Sequence, residues 1–386
     1  MTRTLLVWIA LAGCGTTPGT DGKLCVACTS DADCAGAPCF ADVSGSRFCG
    51  TACGSGCPSG YSCQPVSGTD GTVADTCFPD TEVCVSALPD LSASSPGVDA
   101  GPMHDDLGTI PVGGVIGPKG GTVDRLLFGF SGDTRPAQCG GAYPTQIINN
   151  IFDGMRAQNV QFALDQGDHM FSCGSGASAK ADAKTQMGQY VTAANRLGKT
   201  VFMTMGNHEC SGSASSLCTP AVYGSNPNYT AFLDALAPIS TTPYYRFDIQ
   251  TKSGLAVFIV IADDAWDTTQ QKWLETQLTD ADTHAKYTFV SKHHPDGNTD
   301  HPEFQSIYDQ VRRHKYTLFL TGHSHLFKRQ SSDPRAMVIG CGGAPLAGGT
   351  FWGYGTALQG ADDRIYVRIY DQSTGNTVDS FNVAPQ

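Results

Sequence analysis

VFMTMGNHE (residues 201–209) begins as a short apolar run and stops on Gly206-Asn207-His208-Glu209. The run reads as a buried strand, and a glycine followed by three polar side chains reads as the turn that ends it. Four other apolar runs stop in the same manner. LLFGFSGD (126–133) ends on Gly132-Asp133, and FALDQGD (162–168) ends on Gly167-Asp168. YTFVSKHHP (287–295) reaches His293-His294-Pro295, and YTLFLTGHSH (316–325) reaches Gly322-His323-Ser324-His325.

Working outward, strands are predicted at 126–130, 160–164, 201–205, 244–249, 255–262, 287–291 and 317–320. Helices are predicted between them at 144–157, 179–197, 229–236, 269–280 and 302–313. Such alternation predicts an α/β domain, here over 122–386. Later strand-like runs, RAMVIG (335–340) and RIYVRIYD (364–371), suggest a second sheet. The expected architecture is a two-sheet β-sandwich flanked by helices.

In open α/β sheets the C-terminal ends of the strands face one crevice. Asp133, Asp168, Asn207 and the histidines at 293, 294, 323 and 325 are therefore expected to converge. Each motif alone has an ordinary reading, as a helix N-cap, a packed core histidine or a surface turn. Five in order, each closing an apolar run, point instead to a metal crevice. Oxygen and imidazole donors together suit Mn, Fe or Zn.

The rest of the chain bounds the setting. The formal net charge of -12 over 386 residues suggests no nucleic-acid-binding surface, so an anionic substrate needs a local cation. The opening MTRTLLVWIALAGCG has a positive start and a short apolar stretch, the pattern of an export signal over 1–13. Leu11-Ala12-Gly13-Cys14 resembles the lipobox of bacterial lipoproteins. That resemblance implies cleavage before Cys14 and lipidation there. With Gly15 next, an exported lipoprotein is expected, its membrane contact the anchor at Cys14 and its location the outer membrane, periplasmic face or cell surface.

After a tether at 14–24, residues 25–84 hold ten cysteines and few apolar side chains, so disulfides must replace a core. Five bridges are the expectation, with zinc at Cys25 and Cys28 as the competing reading. This module resembles short cysteine-rich modules of bacterial lipoproteins, which implies a spacer or a docking element for a protein partner. Residues 85–121, rich in Pro, Gly, Ser and Asp, read as a linker. In the larger domain Cys139 with Cys173 and Cys210 with Cys218 are candidate bridges, and Cys341 a buried free thiol.

The order Asp, Gly-Asp, Gly-Asn-His-Glu, His-x-Pro, Gly-His-x-His resembles the calcineurin-like metallophosphoesterase superfamily over residues 122–385. QQKWLETQL (270–278), following a strand that ends in IADDA, resembles that family's connecting helix. The resemblance implies two divalent transition-metal ions, Mn, Fe or Zn. Asp168 would bridge them, with Asp133 and His325 on the first and Asn207, His293 and His323 on the second. His208 would stabilise the transition state or protonate the leaving group of a phosphate mono- or diester.

Two positions depart from that pattern. Most of the superfamily has a ligating His where this chain has Arg135, and the purple acid phosphatase branch has a Tyr where it has Phe171. His169 is no obvious replacement, because the neighbour of a ligand tends to point away. Arg135 either grips a phosphate oxygen or forms an ion pair with Asp165 or Asp168 that leaves the first metal site weak or empty. Arg135 and His294 are the expected substrate contacts. The enzyme reading therefore competes with a non-catalytic, adhesin-like lipoprotein that only binds a phosphorylated ligand.

Overall fold

A computed structural model describes residues 28–34, 39–41, 47–50, 53, 56–57, 61–67, 73–79, 114–174, 176–211, 218, 226–297, 302–330 and 333–386. The chain divides into two compact units, one up to residue 97 and one from residue 98. Cys14, the signal and tether at 1–24, Cys25, Cys84 and linker residues 85–113 lie outside the described residues. Among the described residues, no helix is long and apolar enough to cross a membrane.

In the first unit, β1 (Cys39–Ala41) pairs with β2 (Arg47–Cys49), and β3 (Tyr61–Ser67) with β4 (Val73–Pro79). Each hairpin is tied by its own bridges: Cys28–Cys39 and Cys34–Cys49 on the first, Cys53–Cys63 and Cys57–Cys77 on the second. All eight sulfurs are thus oxidised, which removes the thiolates that zinc binding needs. The covalent links do here what apolar packing does in a larger domain.

The second unit runs β5 (Gly114–Gly117), β6 (Gly120–Val123), β7 (Leu127–Ser131), α1 (Thr145–Ala157), β8 (Phe162–Asp165), α2 (Gly176–Ala194), β9 (Val201–Met203), α3 (Asn207–Ser211) and α4 (Pro227–Leu236). It continues through β10 (Tyr245–Thr251), β11 (Gly254–Val260), α5 (Thr268–His284), β12 (Tyr287–Ser291), α6 (Pro302–Arg312), β13 (Leu318–Thr321), β14 (Phe327–Arg329), β15 (Ala336–Ile339), β16 (Gly353–Gln359), β17 (Ile365–Asp371) and β18 (Thr377–Val383). One sheet has six strands in the order β18-β17-β16-β7-β8-β9, and the other eight, β14-β15-β13-β12-β11-β10-β6-β5. The expected sandwich is present, although RAMVIG and RIYVRIYD fall into different sheets.

The boundary of the linker differs from expectation. Residues 114–121, read as linker, belong to the β5–β6 hairpin, and β6 adds in parallel to β10. The hairpin is short and glycine-rich, with Gly114 and Gly120 both at positive φ, so it carries almost no hydrophobic period to read.

The two sheets meet through a layer of phenylalanines. Phe128, Phe162 and Phe202 project from the six-stranded sheet, and Phe247, Phe258 and Phe289 from the eight-stranded one, all buried. Phe258 stacks on its cross-strand neighbours Phe247 and Phe289 at 4.7 and 4.6 Å. It also receives the edges of Phe128 and Phe162 at 5.4 and 5.3 Å. Offset and edge-on pairs of this kind add to the burial of the rings themselves. On the outer face of the eight-stranded sheet, Leu274 and Leu278 of α5 and Ile307 and Val311 of α6 pack over Val257, Ile259 and Val290.

Truncating Phe258 to Ala should cost about 3–5 kcal/mol. A guanidinium titration followed by tryptophan fluorescence checks this, since Trp266, Trp273 and Trp352 all lie in the second unit. A shift below about 1 kcal/mol would mean that the ring layer does not hold the sheets together.

Candidate metal centre

The parallel core of each sheet decides where the functional residues fall. β7, β8 and β9 are parallel neighbours, and Asp133, Asp168 and Asn207 follow their C-terminal ends. β12 and β13 are parallel neighbours in the other sheet, followed by His293 and by His323 and His325. Backbone bonds knit the ends together: Asp133 N donates to Gly167 O at 2.9 Å, and Gly322 N to His293 O at 2.8 Å.

The backbone at these positions is strained. Asp133, Asp168, His323 and His325 all have positive φ, at 61°, 59°, 68° and 42°. Left-handed conformations are costly for residues other than glycine and tend to gather at functional sites. The motif glycines allow the close approach. A Cβ on Gly322 would stand 2.6 Å from Asp133 Oδ2, and one on Gly206 would collide with Asp168 Oδ1.

Six of the expected ligands come together. Asn207 Oδ1 lies 3.0 Å from His293 Nε2 and 3.2 Å from His323 Nδ1. His293 Nε2 is 3.3 Å from Asp168 Oδ1, and His325 Nε2 is 3.4 Å from Asp133 Oδ1. His293 Nδ1 donates to Gln166 O at 2.7 Å, and His325 Nδ1 to Pro345 O at 2.8 Å. Each of these bonds fixes the tautomer and leaves the Nε2 lone pair aimed into the crevice, as a metal ligand requires.

Electrostatics fit a cation. Asp133 is fully buried, and its Oδ1 has no hydrogen-bond partner. Burial drives its carboxyl well above the usual range, despite His293 nearby. For His293, burial opposes protonation, but the Asp168 and Asp133 carboxylates hold it well above an ordinary histidine. The field that favours a proton there also favours a metal ion. Burial, reinforced by His293, lowers His323 to about 2, and burial with Arg135 lowers His325 to about 4. Both are neutral, the state in which imidazole ligates.

His208 lies beside this cluster, its Nε2 3.7 Å from Asp168 Oδ2 and its ring edge-on to Phe171 at 4.2 Å. Burial lowers its pKa, so the imidazole is neutral. Arg135 reaches into the cluster: Nε contacts Asp168 Oδ2 at 3.3 Å and Nη2 contacts His325 Nε2 at 3.2 Å. His294 is buried beside the ligands rather than exposed as a substrate contact should be, and it offers a ring nitrogen within 4.8 Å of those of His293 and His323. Its ring is 2% exposed, stacks on Phe304 at 3.8 Å and places Nδ1 3.2 Å from Asp263 Oδ2. Its ring centroid also lies 4.2 Å from that of His323, so it packs directly behind the ligands.

His169, by contrast, points away. Its ring is buried between Asp165, 3.0 Å from Nε2, and Glu209, 3.5 Å from Nδ1. Burial opposes its charge, but the two carboxylates raise it to about 10. Glu209 had no assigned role in the sequence reading, yet it organises the site. It accepts from the backbone N–H of Asp168 at 2.9 Å, His169 at 2.6 Å and Gly206 at 2.8 Å. The last bond is half of a capping box, with Glu209 three residues after Gly206, which precedes α3, and that spacing is visible in GNHE.

Asp263, from IADDA, was also missed. It accepts from His294 N at 2.8 Å and pairs with the buried Lys292 Nζ at 3.3 Å, anchoring the segment that carries His293. Bridges Cys139–Cys173 and Cys210–Cys218 form as expected. Cys341 is a free, buried thiol pushed up to about 12 by burial, unsuited to nucleophilic work.

The profile of the calcineurin-like phosphoesterase family matches residues 129–327, more than half of the chain. The chain belongs to that family. Among solved structures, it is similar to GAP50, the anchor in the inner membrane complex of Plasmodium, at 15% identity and a TM-score of 0.50. That alignment covers 68% of this chain and 89% of the other. It is also similar to purple acid phosphatase PPD1 of yellow lupin (Lupinus luteus), at 14% identity and TM-score 0.48, over 83% of this chain and 58% of that one. A dimetal phosphatase from Danio rerio matches at 15% identity and TM-score 0.46, over 68% of this chain and 99% of that one. Likeness at such identities shows the fold alone. No curated protein matches the chain. Family membership and the Asp/His clusters together suggest a dinuclear metal site in this phosphoesterase fold.

Replacing Glu209 with Ala should destabilise the fold by about 3–5 kcal/mol, because it leaves the buried His169 imidazolium with Asp165 alone and three backbone N–H groups unpaired. Denaturant unfolding of the full chain measures this. A variant as stable as the parent would show that Glu209 does not brace the Asp168 loop.

Proposed function

We propose that this calcineurin-like phosphoesterase hydrolyses phosphate mono- or diesters with a divalent transition metal, Mn, Fe or Zn. The observation that carries the reading is the convergence of Asp133, Asp168, Asn207, His293, His323 and His325, with an orphaned carboxylate oxygen and two inward-facing imidazole lone pairs. Asp168, Asn207, His293 and His323 would hold one ion, and Asp133, Asp168 and His325 are the candidates for another. A bound ion supplies positive charge for phosphoryl oxygens and lowers the pKa of water at neutral pH.

The protein's own part is orientation and proton handling. Glu209 and Asp263 brace the loops that carry Asp168 and His293. His208, neutral and beside Asp168, is the imidazole that would donate an N–H to the leaving oxygen of an ester bound there. Arg135 supplies the local cation that a chain of net charge -12 needs to attract an anionic substrate.

The export signal and lipobox at Cys14 support an extracytoplasmic, lipid-anchored setting, in the outer membrane. The disulfide-tied module supports a spacer or docking role toward a protein partner. The competing reading, a phospho-ligand-binding lipoprotein without turnover, draws on Arg135 and Phe171.

Full-length protein reconstituted with Mn, Fe or Zn should hydrolyse nitrophenyl phosphate or its diester and lose that activity to a chelator. His208→Ala should lower kcat about 10²–10⁴-fold while metal content stays unchanged. A preparation that remains metal-free and inactive after all three reconstitutions would leave only the binding reading standing.

A further inference from the structure

The two positions that depart from the family pattern touch each other. The Arg135 guanidinium lies over the Phe171 ring, 4.8 Å from its centroid. Phe171 is itself fixed, because its N–H donates to Gln186 Oε1 at 2.7 Å. Arg135 Nη1 donates to Pro136 O at 2.9 Å, so the guanidinium is held on a face and along an edge. Its side chain is 12% exposed.

From that seat Arg135 engages the ligand atoms of only one half of the centre. Asp168 Oδ2 and His325 Nε2 lie 3.3 and 3.2 Å from its nitrogens. With Asp133, these are the donors available to the first ion. A guanidinium is permanently charged and has no lone pair, so it cannot join that ion and repels it. The first position therefore does not fit a metal as arranged.

The other half is untouched. Asn207 Oδ1, His293 Nε2, His323 Nδ1 and Asp168 Oδ1 face one another at 3.0–3.3 Å. Asp168 thus divides its oxygens, Oδ1 toward His293 and Oδ2 toward Arg135.

We propose that the chain holds a single divalent ion, at Asp168, Asn207, His293 and His323, and that the Arg135 guanidinium, seated on Phe171, takes the place of the other. Arg135 spends Nε, one Nη1 hydrogen and one Nη2 hydrogen on its three contacts. One N–H on each terminal nitrogen remains for a phosphoryl oxygen, the fork geometry that guanidinium uses for oxyanions. Arg135 is thereby both the substitute cation and a substrate contact, so the two readings of it merge.

This inference rests on the metal-dependent reading above, and the same preparation separates the two. Full-length protein, stripped and reloaded with Mn(II) and then desalted, is assayed for metal by mass spectrometry, for spin coupling by electron paramagnetic resonance, and for nitrophenyl ester turnover. The expected result is one ion per chain with an uncoupled Mn(II) spectrum, rising to two coupled ions in Arg135→His. Two ions or a coupled spectrum in the parent overturns the single-ion assignment, and turnover in that case leaves the hydrolase reading intact. One uncoupled ion without turnover of any ester supports the inference and removes the hydrolase reading. No retained ion overturns both. An Arg135→His protein with unchanged circular dichroism that still binds one ion overturns the placement of Arg135; should that variant misfold, Arg135→Ala is expected to admit the second ion instead.

Discussion

Asp168 is a carboxylate buried between two sheets, and the rest of the site is arranged around keeping it charged. Burial alone would push its proton affinity up, but His293, His208 and Arg135 hold it well below the usual carboxylate range. Its own backbone is in the left-handed region at φ 59°, a conformation the chain keeps only because other groups fix it. Glu209 accepts its N–H, the N–H of Thr134 donates to its carbonyl, and the N–H of His208 reaches its Oδ1. Three strand ends therefore depend on one residue.

Cooperation between the sheets follows from that arrangement. β8 brings Asp168 into the middle of the six-stranded sheet's parallel trio, while His293 arrives from the eight-stranded sheet across the phenylalanine layer. The aromatic layer fixes the distance between the sheets, and that distance sets whether Asp168 and His293 meet. Buried charge behind the site repeats the design at greater depth. Asp165, His169 and Glu209 form one compensated cluster, and Lys292, Asp263 and His294 another. The first lies behind the crevice, whereas His294 of the second borders His293 and His323. Each holds a loop that carries a donor.

Much of this was legible in the sequence, because strands buried on both faces read as apolar runs and each ended on a donor. The order of those endings carried the sandwich and the convergence of the six donors, and both bridges of the larger domain were legible in the loops that follow them. What escaped was direction and depth. In His293-His294, both imidazoles come within ligand reach of His323, and composition does not say that the second is also packed on Phe304 and held by Asp263. The rule that sets His169 aside, that the neighbour of a ligand points away, does not carry over to His294, whose ring lies against His323. Glu209 and Asp263 were hidden because their partners are backbone N–H groups, which leave no pattern of residue types. The β5–β6 hairpin was hidden because glycine supplies its turn and little else.

Arg135 and Phe171 show a different limit. They are distant in the chain, no period relates them, and each read alone looks like a lost ligand. In contact, they make one device, a flat cation on an aromatic base. A guanidinium in that seat can neutralise Asp168 and bind phosphoryl oxygens, but it cannot acidify water as a metal ion does. In the proposed hydrolysis, activation of the nucleophile would fall wholly to the side lined by Asn207, His293 and His323, while charge on the phosphoryl oxygens would be met from the Arg135 side. The arrangement would separate two tasks that a pair of like ions would share, and would tie the second of them to a residue that neither exchange nor chelation can remove.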